Sequence, residues 1–246
     1  MESVTRLSTG ISGLDEMLYG GINHGSIVAM VGPPGSGKTL SSLQFLHASL
    51  HSGRTCLYIS ANSSENELVR HSRCYGWDFE PFIKSKQLML MRIQPVQLTQ
   101  SEGSMHLVSD YLNKLPRVVK EIKMEVVVID SITDFLLLCK SEIESRSRLL
   151  YLFQILKTNG SIALITVESD VNSDSTRHGV VEYLADGLIV LRRVQSTDLS
   201  EIVHVIQVAK MRWDKHMREI RQYDFTDKGI VVYNKYEVML NDIHVR

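Results

Sequence analysis

Residues 32–39 read Gly-Pro-Pro-Gly-Ser-Gly-Lys-Thr and fill the pattern GxxxxGK(S/T) directly after the apolar run at residues 27–31. The pattern does phosphate chemistry. Gly32, Gly35 and Gly37 permit the backbone conformations that aim successive N–H groups at phosphate oxygens. Lys38 would neutralise the β- and γ-phosphates, and the Thr39 hydroxyl would ligate Mg²⁺. Pro33, Pro34, Ser36 and Leu40 complete the candidate nucleotide-binding stretch, and a helix begun at its end points its positive pole at the same anion. The second half of such a site is a carboxylate ending a neighbouring buried strand, which holds Mg²⁺ through water. Glu-Val-Val-Val-Ile-Asp at residues 125–130 supplies one, so Asp130 joins Thr39 as a metal residue. The implied cofactors are ATP and Mg²⁺.

The elements that must position these groups alternate. Residues 38–50 carry Leu40, Leu43, Leu46 and Leu50 at helical spacing. Strand-like runs follow at 55–60, 87–92, 125–130 and 162–167. Helical patterns lie between them at 65–75, 106–122 (interrupted at Pro116) and 143–157. Strand–helix alternation of this kind argues an α/β fold with a mostly parallel central sheet flanked by helices and right-handed crossovers. The last third changes to successive strands at 188–193, 202–209, 219–225 and 230–233 with short polar connections, a β-rich, partly antiparallel C-terminal extension. With no linker, repeat or low-complexity tract, residues 1–246 are expected to form one domain.

Composition narrows the function classes. Net charge is −1 over 246 residues, so no global field draws the chain to nucleic acid or an acidic membrane. Hydrophobic residues make up 43 %, enough for a substantial core. The three cysteines, Cys56, Cys74 and Cys139, show no CxxC spacing, which argues against a disulfide framework or zinc site. The nine histidines are expected as core or solvated residues rather than metal ligands. No signal-peptide pattern opens the chain and no apolar run is long enough to span a bilayer, so a cytoplasmic protein without membrane insertion is expected.

Longer stretches carry a family resemblance. TGISGLDE at residues 9–16, Gly20-Gly21-Ile22, the phosphate loop, Tyr75-Gly76-Trp77-Asp78, EYLADG at 182–187 and KMRWDKHMREIRQYDFTDKGIVVY at 210–233 together resemble a KaiC-like protein of the RecA-type ATPase superfamily. The resemblance implies a RecA-like P-loop NTPase core, usually assembled as a ring such as a hexamer, with ATP between subunits. It also implies that Lys210, Met211, Arg212 and His216 reach a neighbour's nucleotide, where Lys210 and Arg212 would act in trans on the γ-phosphate as an arginine finger does. Two residues depart from the pattern: Trp213 stands where Gly is usual, and Asp214 where a small hydroxyl residue is common. Trp213 stacking on the base or capping the interface is one hypothesis, an ordinary surface tryptophan the other.

Catalytically active relatives carry two glutamates after the second strand, in a segment resembling Tyr-Val-Ser-Phe-Glu-Glu-Ser. Tyr58-Ile59-Ser60-Ala61-Asn62-Ser63-Ser64 stands here, so Asn62 and Ser63 occupy the catalytic positions. An amide holds a water by hydrogen bonding but cannot accept its proton. The expectation is therefore an ATP-binding, nucleotide-gated ring or scaffold in signalling or regulation, with weak or absent hydrolysis and an unidentified protein partner. One alternative is an active RecA-type ATPase using another carboxylate, Glu65, Glu67 or Glu168; Thr166 and Glu168 would otherwise sense phosphate. The other is a DNA recombination or repair accessory. Residues 169–179 disfavour it, because they carry two Asp, one Arg and no aromatic ring where a single-strand-binding loop should be basic and aromatic.

Overall fold

The β-branched and apolar runs that read as strands are buried on both faces, as central parallel strands must be. The computed structural model describes residues 5–60, 63–92, 117–121, 123–136, 139, 141–169, 179–195 and 202–234. In chain order the labelled elements are β1 (Arg6–Leu7), α1 (Leu14–Met17), β2 (Ile22–Asn23), β3 (Ile27–Gly32), α2 (Lys38–His51), β4 (Cys56–Ser60), α3 (Glu65–Arg73), α4 (Glu80–Lys84), β5 (Leu88–Arg92), β6 (Val126–Asp130), α5 (Ile132–Leu136), α6 (Glu142–Thr158), β7 (Ile162–Glu168), α7 (Val180–Leu184), β8 (Gly187–Gln195), β9 (Ile202–Met211), β10 (Arg221–Thr226) and β11 (Gly229–Tyr233). The helix expected over 106–122 falls largely outside the described residues, and residues 117–121 are helical.

Nine strands form one sheet in the order β11-β10-β9-β8-β3-β7-β6-β4-β5. From β8 to β5 every neighbouring pair is parallel, while β8–β9, β9–β10 and β10–β11 are antiparallel. The mostly parallel core and the antiparallel C-terminal extension are thus both present. A separate two-stranded ribbon pairs β1 with β2.

Side chains alternate across the sheet with period two. Val28, Met30, Tyr58, Val126 and Val128 face a core completed by α2, α1 and the C-terminal strands. Ile27, Ala29, Val31, Val127 and Ile129 face a second core with Leu149, Leu152, Phe153 and Leu156 of α6. Helix α2 approaches the sheet closely because its buried serines are small and their hydroxyls bond the helix's own carbonyls, Ser42 Oγ to Thr39 at 2.8 Å and Ser49 Oγ to Phe45 at 2.7 Å. Gln44 ties this helix to both ends of the chain. Its Nε2 donates to Gly10 O (2.8 Å) and Ile230 O (3.2 Å), and its Oε1 accepts from Ile230 N (2.7 Å). Among the described residues no helix is long and apolar enough to cross a membrane.

Candidate nucleotide site

The phosphate loop springs from the C-terminal end of β3 and closes onto α2. Gly37, the residue before that helix, takes φ +85, and a Cβ there would lie 2.5 Å from Cε1 of Phe225. Glycine is required on both counts. Tyr223 Oη donates to Ser36 O at 2.6 Å, so the C-terminal hairpin props the loop from behind. Lys38 is buried; its Nζ donates to Gly32 O (2.8 Å) and Pro33 O (3.0 Å). Burial pulls the Lys38 ammonium below its ordinary range, and the charges of Glu168 and then Asp130 oppose that pull.

Three strand ends bring the remaining groups to the same edge. Ser60 on β4 is paired in register with Asp130 on β6, and Gly32 on β3 with Glu168 on β7. Asp130 accepts from Tyr58 Oη at 2.9 Å through Oδ2 and from Thr166 Oγ1 at 2.5 Å through Oδ1. A cavity of about 580 Å³, within the usual range for small-molecule sites, is lined at this edge by Pro34, Gly35, Gly37, Lys38, Thr39, Leu40, Asp130, Ser131 and Glu168. It continues past Leu43 on α2 to His71 on α3 and to Cys74 and Tyr75 just beyond that helix. Thr39 and Asp130 thus face one cavity with oxygen donors only, a set that suits Mg²⁺.

Asn62 lies outside the described residues. Ser63 lines the cavity, and its N–H donates to Ser60 Oγ at 3.1 Å. The acidic residues that follow begin α3: Ser64 and Glu67 form a reciprocal capping box, with Ser64 N donating to Glu67 Oε2 (2.8 Å) and Glu67 N to Ser64 Oγ (3.3 Å). The Ser64 N–H and, at 2.7 Å, the Ser64 hydroxyl both donate to Glu67 Oε2 and hold its carboxyl below its usual range. Glu168 is exposed at the cavity rim, its N–H anchored on Thr133 Oγ1 at 3.0 Å.

The four residues expected to act in trans lie elsewhere. Met211 pairs with Gly187, and Gly187 with Val28 near the start of β3, so β9 ends at the sheet edge opposite the phosphate loop. Four residues of strand, about 13 Å, separate the level of Val28 from Gly32. At that edge Lys210 Nζ donates to the carbonyls of Glu182 (2.8 Å) and Ala185 (2.7 Å), and Arg212 to that of Tyr183 (2.7 Å), so both cations sit on the C-terminal carbonyls of α7. Burial, and after it the charge of Arg212, lowers the pKa of Lys210. His216 is close by in sequence, with Nδ1 buried and unpartnered among the described residues.

Both departures from the family pattern have a structural setting. Asp214 accepts from Arg6 Nη1 at 2.6 Å and Nη2 at 2.8 Å, and from Asn23 Nδ2 at 2.9 Å, which ties the 212–217 loop to the β1–β2 ribbon. Trp213 has φ +62 and is 98 % exposed, projecting from that tied loop.

Several site features escaped the sequence reading. Arg193, at the end of β8, reaches within 3.7 Å of where a Gly35 Cβ would stand and places a further cation beside the phosphate loop. The tyrosine and threonine on Asp130 become visible only when β4, β6 and β7 are set in register. His47 on α2 stacks on Trp77 and His51 meets Phe82 edge-on, and among the described residues no group of three or more potential ligands gathers around a metal position. The three cysteines are free.

A mostly parallel sheet carrying a phosphate loop on β3, a carboxylate on β6 and an antiparallel C-terminal extension defines a RecA-type P-loop nucleotide-binding protein. The chain belongs to the KaiC ATPase family, whose model matches residues 7–237, and it is accordingly an ATP-binding KaiC-like protein. A UPF0273 protein of Thermotoga maritima is 31 % identical over 94 % of this chain and 96 % of its own length. A UPF0273 protein of Pyrococcus horikoshii is 30 % identical over 93 % and 94 %. The circadian clock oscillator protein KaiC of Prochlorococcus marinus is 26 % identical over 94 % of this chain, which spans 46 % of that protein. The crystal structure of a KaiC-like protein from Pyrococcus horikoshii superposes with a TM-score of 0.81 at 30 % identity, covering 94 % of this chain and all of the other.

Proposed function

We propose that this chain forms a nucleotide-gated ring such as a hexamer, in which the site for Mg-ATP on one subunit is completed by Lys210, Arg212 and His216 of the next. The observation that carries the reading is the opposition of the two half-sites. Lys38, Thr39 and Asp130 gather at one edge of the sheet, and Lys210 and Arg212 stand at the other. A chain that cannot bring both to its own nucleotide is complete only beside a neighbour, and repeated head-to-tail contacts of this kind form a ring when the rotation between neighbours closes. Thr39 and Asp130 would hold the metal, which would shield the β- and γ-phosphates.

Hydrolysis in this reading is weak. Ser63 offers a hydroxyl where a carboxylate would polarise water, Asn62 offers an amide, and Glu67 is bound into its capping box. General-base assistance is worth about 10²–10⁴-fold, so its loss leaves ATP bound long enough to act as a structural ligand that stabilises the assembled state by mass action. Residues 1–246 act in this reading as one domain and as a scaffold for a protein partner. A working ATPase is the second reading, favoured by one observation: Glu168 lines the same cavity as Lys38.

The test separates assembled from monomeric protein by size after incubation with Mg-ATP and identifies the nucleotide in each fraction. Intact ATP in the assembled fraction without accumulating ADP is the expected result. Steady ADP production abolished by Glu168→Gln would replace the scaffold reading with the second one.

A further inference from the structure

We infer that Tyr58, together with Thr166, is a positioning residue that fixes the Asp130 carboxylate and thereby sets the site's selectivity for Mg²⁺ over Ca²⁺. The inference rests on the reading of Asp130 as the metal residue and adds two groups to it. On β4, Tyr58 is opposite Val128, two positions before Asp130, so it lies on the same sheet face as Asp130 and reaches it diagonally. Thr166 comes from the other side, from β7, one residue past the Ile129–Ile165 pair.

Each hydroxyl takes a different carboxylate oxygen, Tyr58 at 2.9 Å on Oδ2 and Thr166 at 2.5 Å on Oδ1. Tyr58 is 2 % exposed and Thr166 fully buried, so neither has water as an alternative acceptor. A rotation of the carboxyl group would break both bonds, leaving the Thr166 hydroxyl only the longer contact to Ile129 O at 3.5 Å. The carboxylate plane is therefore fixed from both sides, with only its remaining lone pairs turned to the cavity.

Rigidity of this kind discriminates between cations. Mg²⁺ demands near-ideal octahedral geometry, whereas Ca²⁺ accepts irregular and larger coordination shells. A carboxylate held in one plane suits the first, and a loosened one gives up its advantage over the second. Groups behind a metal's direct partners typically carry 10–100-fold in metal affinity.

The experiment titrates Mg²⁺ and Ca²⁺ against a fluorescent ATP analogue bound to the full chain, with analogue affinity in chelator as the control. Tyr58→Phe and Thr166→Val are each expected to raise the Mg²⁺ half-saturation about 10-fold and to narrow the Mg²⁺/Ca²⁺ ratio, while affinity in chelator stays at the wild-type value. Thr166→Ser, which keeps the hydroxyl, should titrate like wild type, an outcome that a packing role for the methyl group would not give. If Asp130→Asn weakens Mg²⁺ but Tyr58→Phe and Thr166→Val do not, the positioning role is overturned and the metal residue stands. If Asp130→Asn leaves Mg²⁺ untouched, the metal reading itself falls.

Discussion

Ser63 illustrates how little chemistry separates a binding site from a catalytic one. It lines the cavity that holds Lys38, Thr39 and Asp130, and a carboxylate at its position would face the same space. The capping box of Ser64 and Glu67 starts immediately after it, and the Ser63 N–H is held by Ser60 Oγ, so the backbone at Ser63 is already anchored. Restoring the carboxylates in Asn62→Glu, Ser63→Glu is therefore expected to raise ATP turnover, by up to about 10²-fold, the lower end of general-base assistance. Chromatographic measurement of ADP release checks it. Unchanged turnover with unchanged ATP affinity would mean that the barrier lies elsewhere, in the neighbour's cations or in product release.

At the scale of elements, the 212–217 loop depends on a ribbon that is distant in sequence. Asp214 receives both guanidinium nitrogens of Arg6 and the Asn23 amide, and the Arg6 hydrogen bond holds its carboxyl below the usual carboxylate range. Arg6 is raised in turn by the same bond. A depressed carboxylate pKa contributes stability that is present above the unfolded value, about 3.9 for Asp, and is lost as pH falls through the folded value. Arg6→Ala is thus expected to cost about 1–2 kcal/mol near neutral pH, a range lowered for the part of Arg6 open to solvent. The difference from wild type should shrink as pH drops below about 4, and urea melts at neutral pH and at pH 3 would check it. This link also marks where sequence patterns stop being informative. The phosphate loop, the Asp130 strand and the two-part sheet are local signals, written in glycine spacing and apolar runs, and they are legible. The partners of Asp130, Asp214 and Lys210 are set by strand register and by contacts 25 to 208 residues apart, which no periodicity encodes. The short helices α4, α5 and α7 escape for a related reason, since five residues are too few to display a period.

For the molecule as a whole, a consequence of the proposed ring, in which half-sites at opposite sheet edges meet between neighbours, is that assembly should be visible from a single side chain. The chain has two tryptophans, and they report different surroundings: Trp77 is 6 % exposed and Trp213 98 %. Burial of the 212–216 loop against a neighbour would move Trp213 out of water and leave Trp77 where it is. Addition of Mg-ATP at a concentration that gives assembled protein should therefore shift intrinsic emission to the blue, and the shift should vanish in Trp213→Phe. Because large aromatic residues at interface centres often carry 2 kcal/mol or more, Trp213→Ala is expected to weaken self-association by at least about 10-fold, read by sedimentation at several protein concentrations. The loop's attachment through Asp214 argues that Trp213 is presented to a partner surface already ordered, so little of its binding energy is spent on fixing the backbone. Assembled protein whose emission matches that of the monomer would place the subunit contact away from this loop, and Lys210 and Arg212 would then lose their route to a neighbouring nucleotide.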